Sequence, residues 1–394
     1  MAQTHQHVPN VACFPLGAGV RLEQLERDPH ALLARLRERE PVSWVPVLDG
    51  WLVTRYDVAL QVMRDADTFT VDDPRFSTAQ VVGPSMLSLD GEAHARHRAP
   101  FVGPFRPATV RRQFAGVVAE ETERLLDGLE PAGGVELRRS FAGPLAAVVV
   151  TRVLGFDASE VRQVLAWYDA IVAGVTAITA GRGLTPAAQE AFAALSTRLE
   201  QVIDRGDPRP LPGAGAELTR TQIVSNVAVL LFGGIETTEG MIANAVLALL
   251  EHPAELARVR EDPGLIGAAI EESLRLEPAA AAIDRYAIAD VDLAGARIAA
   301  GQLVRVSISA ANRDPAVFGE PDRFDLERPN AWRHAAFAQG PHVCLGVHLA
   351  RLEAHTALAR LLERFPRLRL DRERPSAVRG LVFRKPSTLY VAWR

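Results

Sequence analysis

The chain has 394 residues, of which 48% are hydrophobic and 23% are charged, the composition of an ordinary globular protein. Lysine and arginine number 44 against 48 aspartate and glutamate, and the net charge of −4 argues against a nucleic-acid binder that depends on neutralising phosphates. With only two cysteines, Cys13 and Cys344, a disulfide-stapled secreted scaffold is excluded, although a single bond between them stays open.

The sequence contains no recognisable membrane anchor or secretion signal. Residues 1–15 are polar and include His5 and His7, with no basic start followed by an apolar core. Charges, glycines and prolines interrupt the longest internal apolar stretches before the ~20 residues that a membrane-spanning helix needs. A soluble cytoplasmic protein is therefore predicted.

The predicted elements, in chain order, are mostly helical. Two apolar runs flank Asp49 and Gly50, which predicts a hairpin at residues 42–54. Helical periodicity dominates residues 56–250, with an irregular stretch at 68–89 and loops at 181–186 and 206–215. Within it, residues 218–251 form one helix of roughly 50 Å at 1.5 Å per residue.

The C-terminal part mixes helices with short strands. A helix is expected at residues 265–276, followed by strands at 291–293 and 303–308 and by irregular chain to Pro329. A last helix runs from just after Cys344 to about Phe365, and residues 381–393 are strand-like with Pro386 at a bend. The fold class predicted is mainly α with small β-sheets (α+β), in a single domain spanning residues 1–394.

The most informative segment is a loop at residues 337–346, FAQGPHVCLG, which carries Cys344 to the start of a helix. Free N–H groups and the helix dipole stabilise a thiolate there, and a thiolate on haem iron favours O–O cleavage. Gly340 and Gly346 allow the backbone to approach the sulfur and a porphyrin closely. A buried structural thiol is the simpler explanation of a lone cysteine, and a zinc site is disfavoured because His342, Cys344 and His348 supply one thiolate.

The pattern Phe337-x-x-Gly340-x-x-x-Cys344-x-Gly346 resembles the haem-binding signature of the cytochrome P450 family. This resemblance implies the P450 fold, in which haem b lies between the long distal helix and the helix that follows the cysteine loop. It implies that Cys344 is the axial iron ligand and that the phenylalanine and two glycines of the pattern contact the cofactor. Ala338 departs from the glycine of many members and leaves the ligand assignment intact.

Two further segments match the family in order on the C-terminal side. Glu272 and Arg275 lie three residues apart, which by itself predicts a weak surface ion pair. The resemblance instead implies a buried pair, joined by Arg323, that braces the loop leading to Cys344. Residues 312–315, Asn-Arg-Asp-Pro, are residue types typical of a turn. Their position between the helix that carries Glu272 and Arg275 and the cysteine loop supports the match.

Small and β-branched residues interrupt the predicted long helix. Gly233, Gly234 and Thr237 are poor helix formers, which indicates either close helix packing or a distortion in which a threonine hydroxyl bonds the backbone. The resemblance implies that Gly233 faces the distal side of haem and that Thr237 contacts bound dioxygen. Glu236, where many members have aspartate, then helps to relay protons.

Basic residues provide candidate contacts for the haem propionates. His94 and Arg98 lie four residues apart on one helix face, a spacing that suits a carboxylate partner but is equally common on a solvated basic face. The resemblance implies propionate contacts for both, and also for Arg285 and His342.

The resemblance implies a monooxygenase that inserts one atom of O₂ into a small organic substrate by hydroxylation, epoxidation or oxidative dealkylation, in secondary metabolism or catabolism. No flavin or nicotinamide fingerprint is visible, so a separate ferredoxin and ferredoxin reductase are expected to supply electrons. The candidate docking residues for these donors are Arg96, Arg111, Arg112 and Arg351.

Two alternatives share the fold: a peroxide-driven peroxygenase and a non-catalytic haem-binding protein. The acid–alcohol pair of Glu236 and Thr237 favours the monooxygenase, because a non-catalytic protein has no need of a proton relay and the resemblance implies that peroxygenase relatives typically lack the pair. The segments expected to line the substrate pocket are largely aliphatic and small, which favours an apolar or mixed substrate; they are residues 68–89 (a candidate lid), 167–178, 229–233, 280–283 and 377–378.

Overall fold

The computed structural model describes residues 11–179, 182–204 and 217–394. Its helices are α1 (Pro15–Ala18), α2 (Leu22–Arg27), α3 (His30–Arg39), α4 (Tyr56–Arg64), α5 (Ser77–Val82), α6 (Gly91–Val102), α7 (Pro107–Leu129), α8 (Gly143–Val153), α9 (Val161–Thr179), α10 (Pro186–Asp204), α11 (Arg220–Glu251), α12 (Pro253–Glu261), α13 (Ile266–Leu276), α14 (Ile308–Ala311) and α15 (Val347–Arg364). Its strands are β1 (Val42–Val45), β2 (Gly50–Val53), β3 (Phe69–Thr70), β4 (Gly134–Glu136), β5 (Ala282–Ala287), β6 (Val291–Leu293), β7 (Ala296–Ile298), β8 (Leu303–Ser307), β9 (Arg369–Leu370), β10 (Val378–Arg379), β11 (Lys385–Pro386) and β12 (Tyr390–Ala392).

The chain forms two compact units. The first unit comprises Met1–Val71, Asn244–Cys344 and Ser376–Ser387, and the second comprises Asp72–Ala243, Leu345–Pro375 and Thr388–Arg394. The single domain expected over residues 1–394 stays a prediction.

A five-stranded sheet organises the first unit, in the order β1-β2-β8-β5-β3. Strands β2 and β8 are parallel, and the other neighbours are antiparallel. The predicted hairpin is confirmed, with Val42 opposite Val53 and a left-handed Asp49 at φ 46° before Gly50. A side chain at Gly50 would lie 2.9 Å from the side chain of Leu303, so the close β2–β8 approach requires glycine there.

Helix α4 packs its apolar face onto this sheet. Its buried side chains include Val58, Val62 and Met63, spaced as one face of a helix requires. Trp44 and Trp51 face the same core and pack edge to face, with 5.6 Å between ring centroids. This packing fixes α4, against which the cysteine loop lies.

Helices dominate the second unit. Helix α7 packs against α8 and α15, and α9 packs against α5, α8 and α10. The small sheet β4-β12-β9 places Val391 opposite Val135 and Leu370. The part of α11 that lies in this unit is buried on almost every side, which its apolar sequence requires.

Several short elements differ from the sequence prediction. The stretch 68–89, predicted to be irregular, contains β3 and α5, and the chain predicted to be irregular before Pro329 contains α14. Pro386 pairs with Val378 in a two-stranded ribbon instead of marking a bend, which is possible because that ribbon has only edge strands. The predicted loop at residues 206–215, and Gly181 of the other, lie outside the described residues.

Helix α9 is long and apolar enough to cross a membrane by length and composition alone, and Arg162, Asp169 and Gly174 lie within it. Of the most apolar stretch of 18 residues in this helix, 33% is buried inside the protein. Both cysteines are free thiols, so the disulfide left open by the sequence is not formed.

A charged cluster centred on Glu277 ties distant segments of the first unit together. The carboxylate of Glu277, at the C-terminal end of α13, pairs with His30, and its oxygens lie 3.3 Å from nitrogens of Arg313 and Arg384. Burial raises the pKa of Glu277, but the hydrogen bond and charge of His30 and the two arginine charges outweigh it and hold the pKa at about 2.

Replacing Glu277 by glutamine is expected to lower the free energy of unfolding at neutral pH by roughly 2–3 kcal/mol. The folded-state pKa of about 2 lies below the ordinary 4.5, so the stabilisation is complete above pH 4.5 and is lost as the pH falls towards 2. The difference between wild type and Glu277→Gln should therefore shrink on acidification, as measured by urea unfolding.

The matched control is Glu23→Gln, which removes an exposed pair with Arg27 whose side chains are 67% and 64% exposed. This variant should change stability by only about a few tenths of a kcal/mol at any pH. A Glu277→Gln deficit that is independent of pH would contradict the prediction.

Candidate active site

The loop that carries Cys344 is tightly held by its own backbone. The amide of Cys344 donates to the carbonyl of Phe337 at 2.8 Å, and the amide of Val343 donates to that of Gly340 at 3.1 Å. Gly340 has φ 74°, and a Cβ there would lie 2.6 Å from the carbonyl oxygen of Met63. The loop can therefore lie against the end of α4 only with glycine at this position.

Cys344 itself is partly exposed, and α15 begins at Val347 with Gly346 as its N-cap. The predicted sequence of loop, cysteine and helix start is confirmed. Ala338 has φ 56°, in the left-handed region, which explains why glycine suits this position in related loops. His342 ends a short 3₁₀ turn, Gly340–His342, that precedes the cysteine.

A fully buried ion pair lies in the first unit on the helix before the loop. Glu272 and Arg275 of α13 are both 0% exposed, and Arg275 Nε and Nη2 donate to the two carboxylate oxygens at 2.7 Å each. The remaining N–H groups of Arg275 donate to backbone carbonyls of Asn312, Pro321 and Arg323, at 3.1, 2.7 and 3.0 Å. Each of the five guanidinium N–H groups thus has an acceptor.

Asn312 and Asp314 connect this helix to the loop and to α4. The buried amide of Asn312 donates to the carbonyl of Leu274 at 3.3 Å and accepts from the amide of Ala335 at 2.7 Å. Asp314 accepts from the amide of Tyr56 at 2.9 Å, at the start of α4. Residues 312–315, which the sequence predicted only to be a turn, therefore position the two helices that support the cysteine loop, α13 and α4.

In the second unit, α11 holds the predicted acid and alcohol. Thr237 Oγ1 donates to the carbonyl of Gly233 at 2.7 Å, the threonine–backbone bond that was one of the two alternatives, and the helix nevertheless stays continuous. A Cβ at Gly234 would lie 2.7 Å from Val150, so this glycine serves helix packing, whereas a Cβ at Gly233 would meet no described atom within 4 Å. The packing explanation thus holds for Gly234, whereas the distortion does not occur, because α11 is continuous.

Glu236 is 6% exposed and accepts a hydrogen bond from the hydroxyl of Tyr168 on α9. Three residues further along α11, Glu239 is 3% exposed and lies 3.2 Å from Nη1 of Arg138 through each of its carboxylate oxygens. Two buried carboxylates on one helix thus have partners of different charge.

The predicted propionate contacts lie on separate elements. On α6 of the second unit, His94 is buried and Arg98 is half-buried, one turn apart as predicted. On β5 of the first unit, Arg285 is 5% exposed and donates to the carbonyl of Asp284 at 2.8 Å. The first unit thus contains Phe337, Gly340, His342, Cys344 and Arg285, and the second contains His94, Arg98, Gly233, Glu236, Thr237 and Gly346.

These residues fit a haem group by their chemistry. Haem iron binds a thiolate ligand. The two propionate carboxylates of haem accept hydrogen bonds from imidazole and guanidinium groups. The chain presents a half-exposed thiol on a glycine-held loop, a buried imidazole at His94 and a buried guanidinium at Arg285. The open space beside Gly233, measured against the described residues, adds room on one face of α11.

Comparison with known proteins gives the family. The family model described as "Cytochrome P450" matches residues 264–392. The biotin biosynthesis cytochrome P450 of Bacillus subtilis is 33% identical over 87% of this chain and 91% of its own length. The cytochrome P450 monooxygenase PikC of Streptomyces venezuelae is 35% identical over 90% and 88%. This chain belongs to the cytochrome P450 family.

A solved structure supports the same assignment for this cytochrome P450. A myxobacterial cytochrome P450 crystallised with myristic acid superposes with a TM-score of 0.84 at 31% identity, covering 95% of this chain and 98% of that one. The predicted mainly α fold with small sheets, the P450 fold, is thereby confirmed, as is the prediction of a haem- and iron-binding oxidoreductase with monooxygenase activity.

One predicted contact of this P450 was wrong. The side chain of Arg323 is 57% exposed and pairs with Glu320, so it does not join the buried pair. Arg328 takes that place: it is 5% exposed, and its Nε donates to Glu272 Oε1 at 2.9 Å. Arg323 contributes its backbone carbonyl instead, and both Arg275 and Arg328 donate to it.

Sequence reasoning also missed the buried partners in the second unit. His97 is 1% exposed and lies 3.0 Å from the amide nitrogen of Asn226, whose oxygen accepts from the amide of Met86 at 2.7 Å. Burial lowers the pKa of His97, and the charge of Arg96 lowers it further. Tyr168 lies on the apolar stripe of α9, a pattern that predicts burial but not its partner.

Replacing Arg328 by leucine is expected to cost about 3 kcal/mol of stability, because Glu272 then loses one of its buried cationic partners. The haem-to-protein absorbance ratio after gel filtration should fall as well, since the loop carrying Cys344 loses its brace. Arg323→Leu is the matched control and should change both measurements little. Equal losses in the two variants would show that the assignment of Arg328 is wrong.

Proposed function

We propose that this cytochrome P450 hydroxylates, epoxidises or oxidatively dealkylates a small organic substrate of secondary metabolism or catabolism, with electrons from a ferredoxin and its reductase. The observation that carries the proposal is the acid–alcohol pair of Glu236 and Thr237 on α11, in which Glu236 is buried and Thr237 is partly buried. Activation of O₂ requires protons at the reacting oxygen, and a carboxyl next to a hydroxyl in a buried helix can pass them.

In this proposal the thiolate of Cys344 would hold haem b, and the haem would supply the activation of O₂. The hydrogen bond from the amide of Cys344 to Phe337 and the close contact of Gly340 with α4 fix the backbone that carries the sulfur. His94, Arg98, Arg285 and His342 supply the donors for the propionates, and Phe337, Gly340, Gly346 and Gly233 supply close contact with the cofactor.

The geometry of Thr237 supports its proposed role in proton transfer. Its hydroxyl donates to the carbonyl of Gly233, so Oγ1 presents acceptor lone pairs to a bound ligand. A proton that leaves through Oγ1 must be replaced, and Glu236, the preceding residue, is the nearest acid along the chain. Thr237 thus orients the oxygen that receives the proton, and Glu236 supplies it.

A peroxide-driven peroxygenase is the second candidate, since it shares the fold but receives oxygen, electrons and protons together from peroxide. It has no need for the acid–alcohol pair of Glu236 and Thr237, so this pair favours the O₂-dependent reaction. A non-catalytic haem-binding protein is disfavoured for the same reason.

Replacing Cys344 by serine is expected to abolish the long-wavelength absorption band of the ferrous–carbon monoxide complex, because serine cannot supply a thiolate. Cys13→Ser is the matched control, since Cys13 is also a free thiol, and should leave the band unchanged. A Cys344→Ser variant with the wild-type spectrum would refute ligation by this residue.

Replacing Thr237 by alanine is expected to lower product formation by about 10² if proton delivery is lost, with the consumed electrons recovered as hydrogen peroxide. The measurement is peroxide and product per electron consumed, with myristic acid as the probe substrate. The control is the neighbouring Thr238→Ala, at a buried position, which should keep the wild-type ratio. Equal ratios in the two variants would remove Thr237 from the mechanism.

The proposed docking surface for the electron donor is defined by Arg96, Arg111, Arg112 and Arg351 of the second unit. Burial lowers the pKa of His348, on α15, and the charges of Arg351 and Arg111 lower it further, so the two arginines lie near one histidine. Arg96, Arg111 and Arg112 are exposed. Such a concentration of positive charge suits an acidic redox protein such as a ferredoxin.

Replacing Arg111 by alanine is expected to slow electron transfer from a reduced ferredoxin at low ionic strength by roughly threefold to tenfold and to flatten its dependence on salt. Arg372→Ala, which removes an exposed arginine outside this surface, is the control. A rate that does not respond to salt in the wild type would argue against this surface.

The proposed localisation is the cytoplasm, where ferredoxins are available and thiols stay reduced. The proposed substrate is apolar or mixed in character, since the candidate lining segments are aliphatic and small.

A further inference from the structure

Helix α9 carries one polar side chain on its buried apolar stripe. The stripe consists of Val164, Tyr168, Ile171 and Val175, spaced by four, three and four residues. Tyr168 is 4% exposed, and its hydroxyl bonds to Oε2 of Glu236 on α11. A phenol placed among aliphatic residues with its hydroxyl on a carboxylate suggests a specific contact beyond packing.

The direction of this hydrogen bond follows from the surroundings. Burial raises the pKa of Tyr168 far above its ordinary value, and the charge of Glu236 and the hydrogen bond to it raise it further, as do the charges of Glu239 and Asp169. The phenol therefore keeps its proton throughout the working pH range. Tyr168 is the donor, and the carboxylate of Glu236 is the acceptor.

The two buried carboxylates of α11 differ in the charge of their partners. Glu239 forms a buried ion pair with the guanidinium of Arg138. Asp169, whose charge also raises the pKa of Tyr168, pairs instead with Arg139 at 3.9 Å, and both of these side chains are 61% exposed. Tyr168 contributes no charge, so it can hold the orientation of Glu236 while the carboxyl gains and loses a proton.

We propose that Tyr168 is a positioning residue that orients the carboxyl of Glu236 for proton delivery through Thr237. The inference rests on the proposed role of Glu236. When Glu236 passes on its proton, the resulting carboxylate stays hydrogen-bonded to the phenol, and a proton from water then restores the acid. Without the phenol, the carboxyl can turn to other rotamers of its flexible side chain and lose its alignment with Thr237.

The first test uses infrared spectroscopy of the haem-loaded enzyme, which needs no substrate. The carboxyl band of Glu236 is identified by subtracting the spectrum of Glu236→Gln, and Tyr168→Phe is expected to shift this band, because its hydrogen-bond donor is gone. An unshifted band would overturn the inference.

The second test measures hydrogen peroxide per electron consumed, with myristic acid as the probe. In Tyr168→Phe this ratio is expected to rise on the order of threefold to tenfold, with an enlarged solvent isotope effect on turnover. Combining Tyr168→Phe with Glu236→Gln should add nothing to the effect of Glu236→Gln alone. Wild-type coupling and a wild-type isotope effect in Tyr168→Phe would contradict the role of Tyr168.

The matched control is Tyr56→Phe. Tyr56 is also buried, and its hydroxyl donates to the carbonyl of Arg333 at 2.7 Å. It therefore reports what the loss of a buried phenol hydroxyl does to stability, and it should not alter the peroxide ratio.

Two more variants keep the outcomes distinct. If Tyr168→Phe does not retain haem, Glu236→Asp replaces it as the test, because the shorter acid no longer reaches the phenol, and wild-type coupling in it would overturn the inference. If Glu236→Gln itself couples like the wild type, the proposed function of Glu236 fails. If Glu236→Gln uncouples and Tyr168→Phe does not, only the role of Tyr168 fails.

Discussion

The buried guanidinium of Arg275 is the interaction on which the cysteine loop depends. A cation that is 0% exposed would be severely destabilising if any of its N–H groups lacked an acceptor. Arg275 meets this requirement with the carboxylate of Glu272 and with carbonyls of the segment that leads towards Cys344. The hydrogen bonds that this buried cation requires thus determine the path of the segment that leads towards Cys344, which has little regular structure of its own.

The chemistry proposed for this P450 depends on a contrast between charged and neutral partners. Glu272 forms buried ion pairs with two arginines, and the cations around Glu277 hold its pKa at about 2, which suits a structural role. Beside Glu236, the neutral phenol of Tyr168 donates a hydrogen bond to the carboxylate that is proposed to relay protons. A rigid carboxylate serves to hold a loop, whereas a proton relay needs a carboxylate whose charge can change.

Much of the fold could be predicted because the residue pattern of each long helix is visible within its own segment of the sequence. The helix expected at residues 218–251 occurs as Arg220–Glu251, and the one expected at 265–276 occurs as Ile266–Leu276. The elements that were missed, such as β3, α5 and α14, contain two to six residues. Such short segments have too few residues for a period to show, and distant partners determine their conformation.

The sequence by itself determined the family, the cysteine loop and the acid–alcohol pair, because these are local patterns of residue type and spacing along one stretch of chain. Only the tertiary structure decided that Arg328 and not Arg323 joins Glu272, and that Tyr168 faces Glu236. Glu272 and Arg328 are 56 positions apart, and Tyr168 and Glu236 are 68 apart. At such separations no spacing rule applies, and packing alone selects which of several chemically equivalent side chains reaches the buried charge.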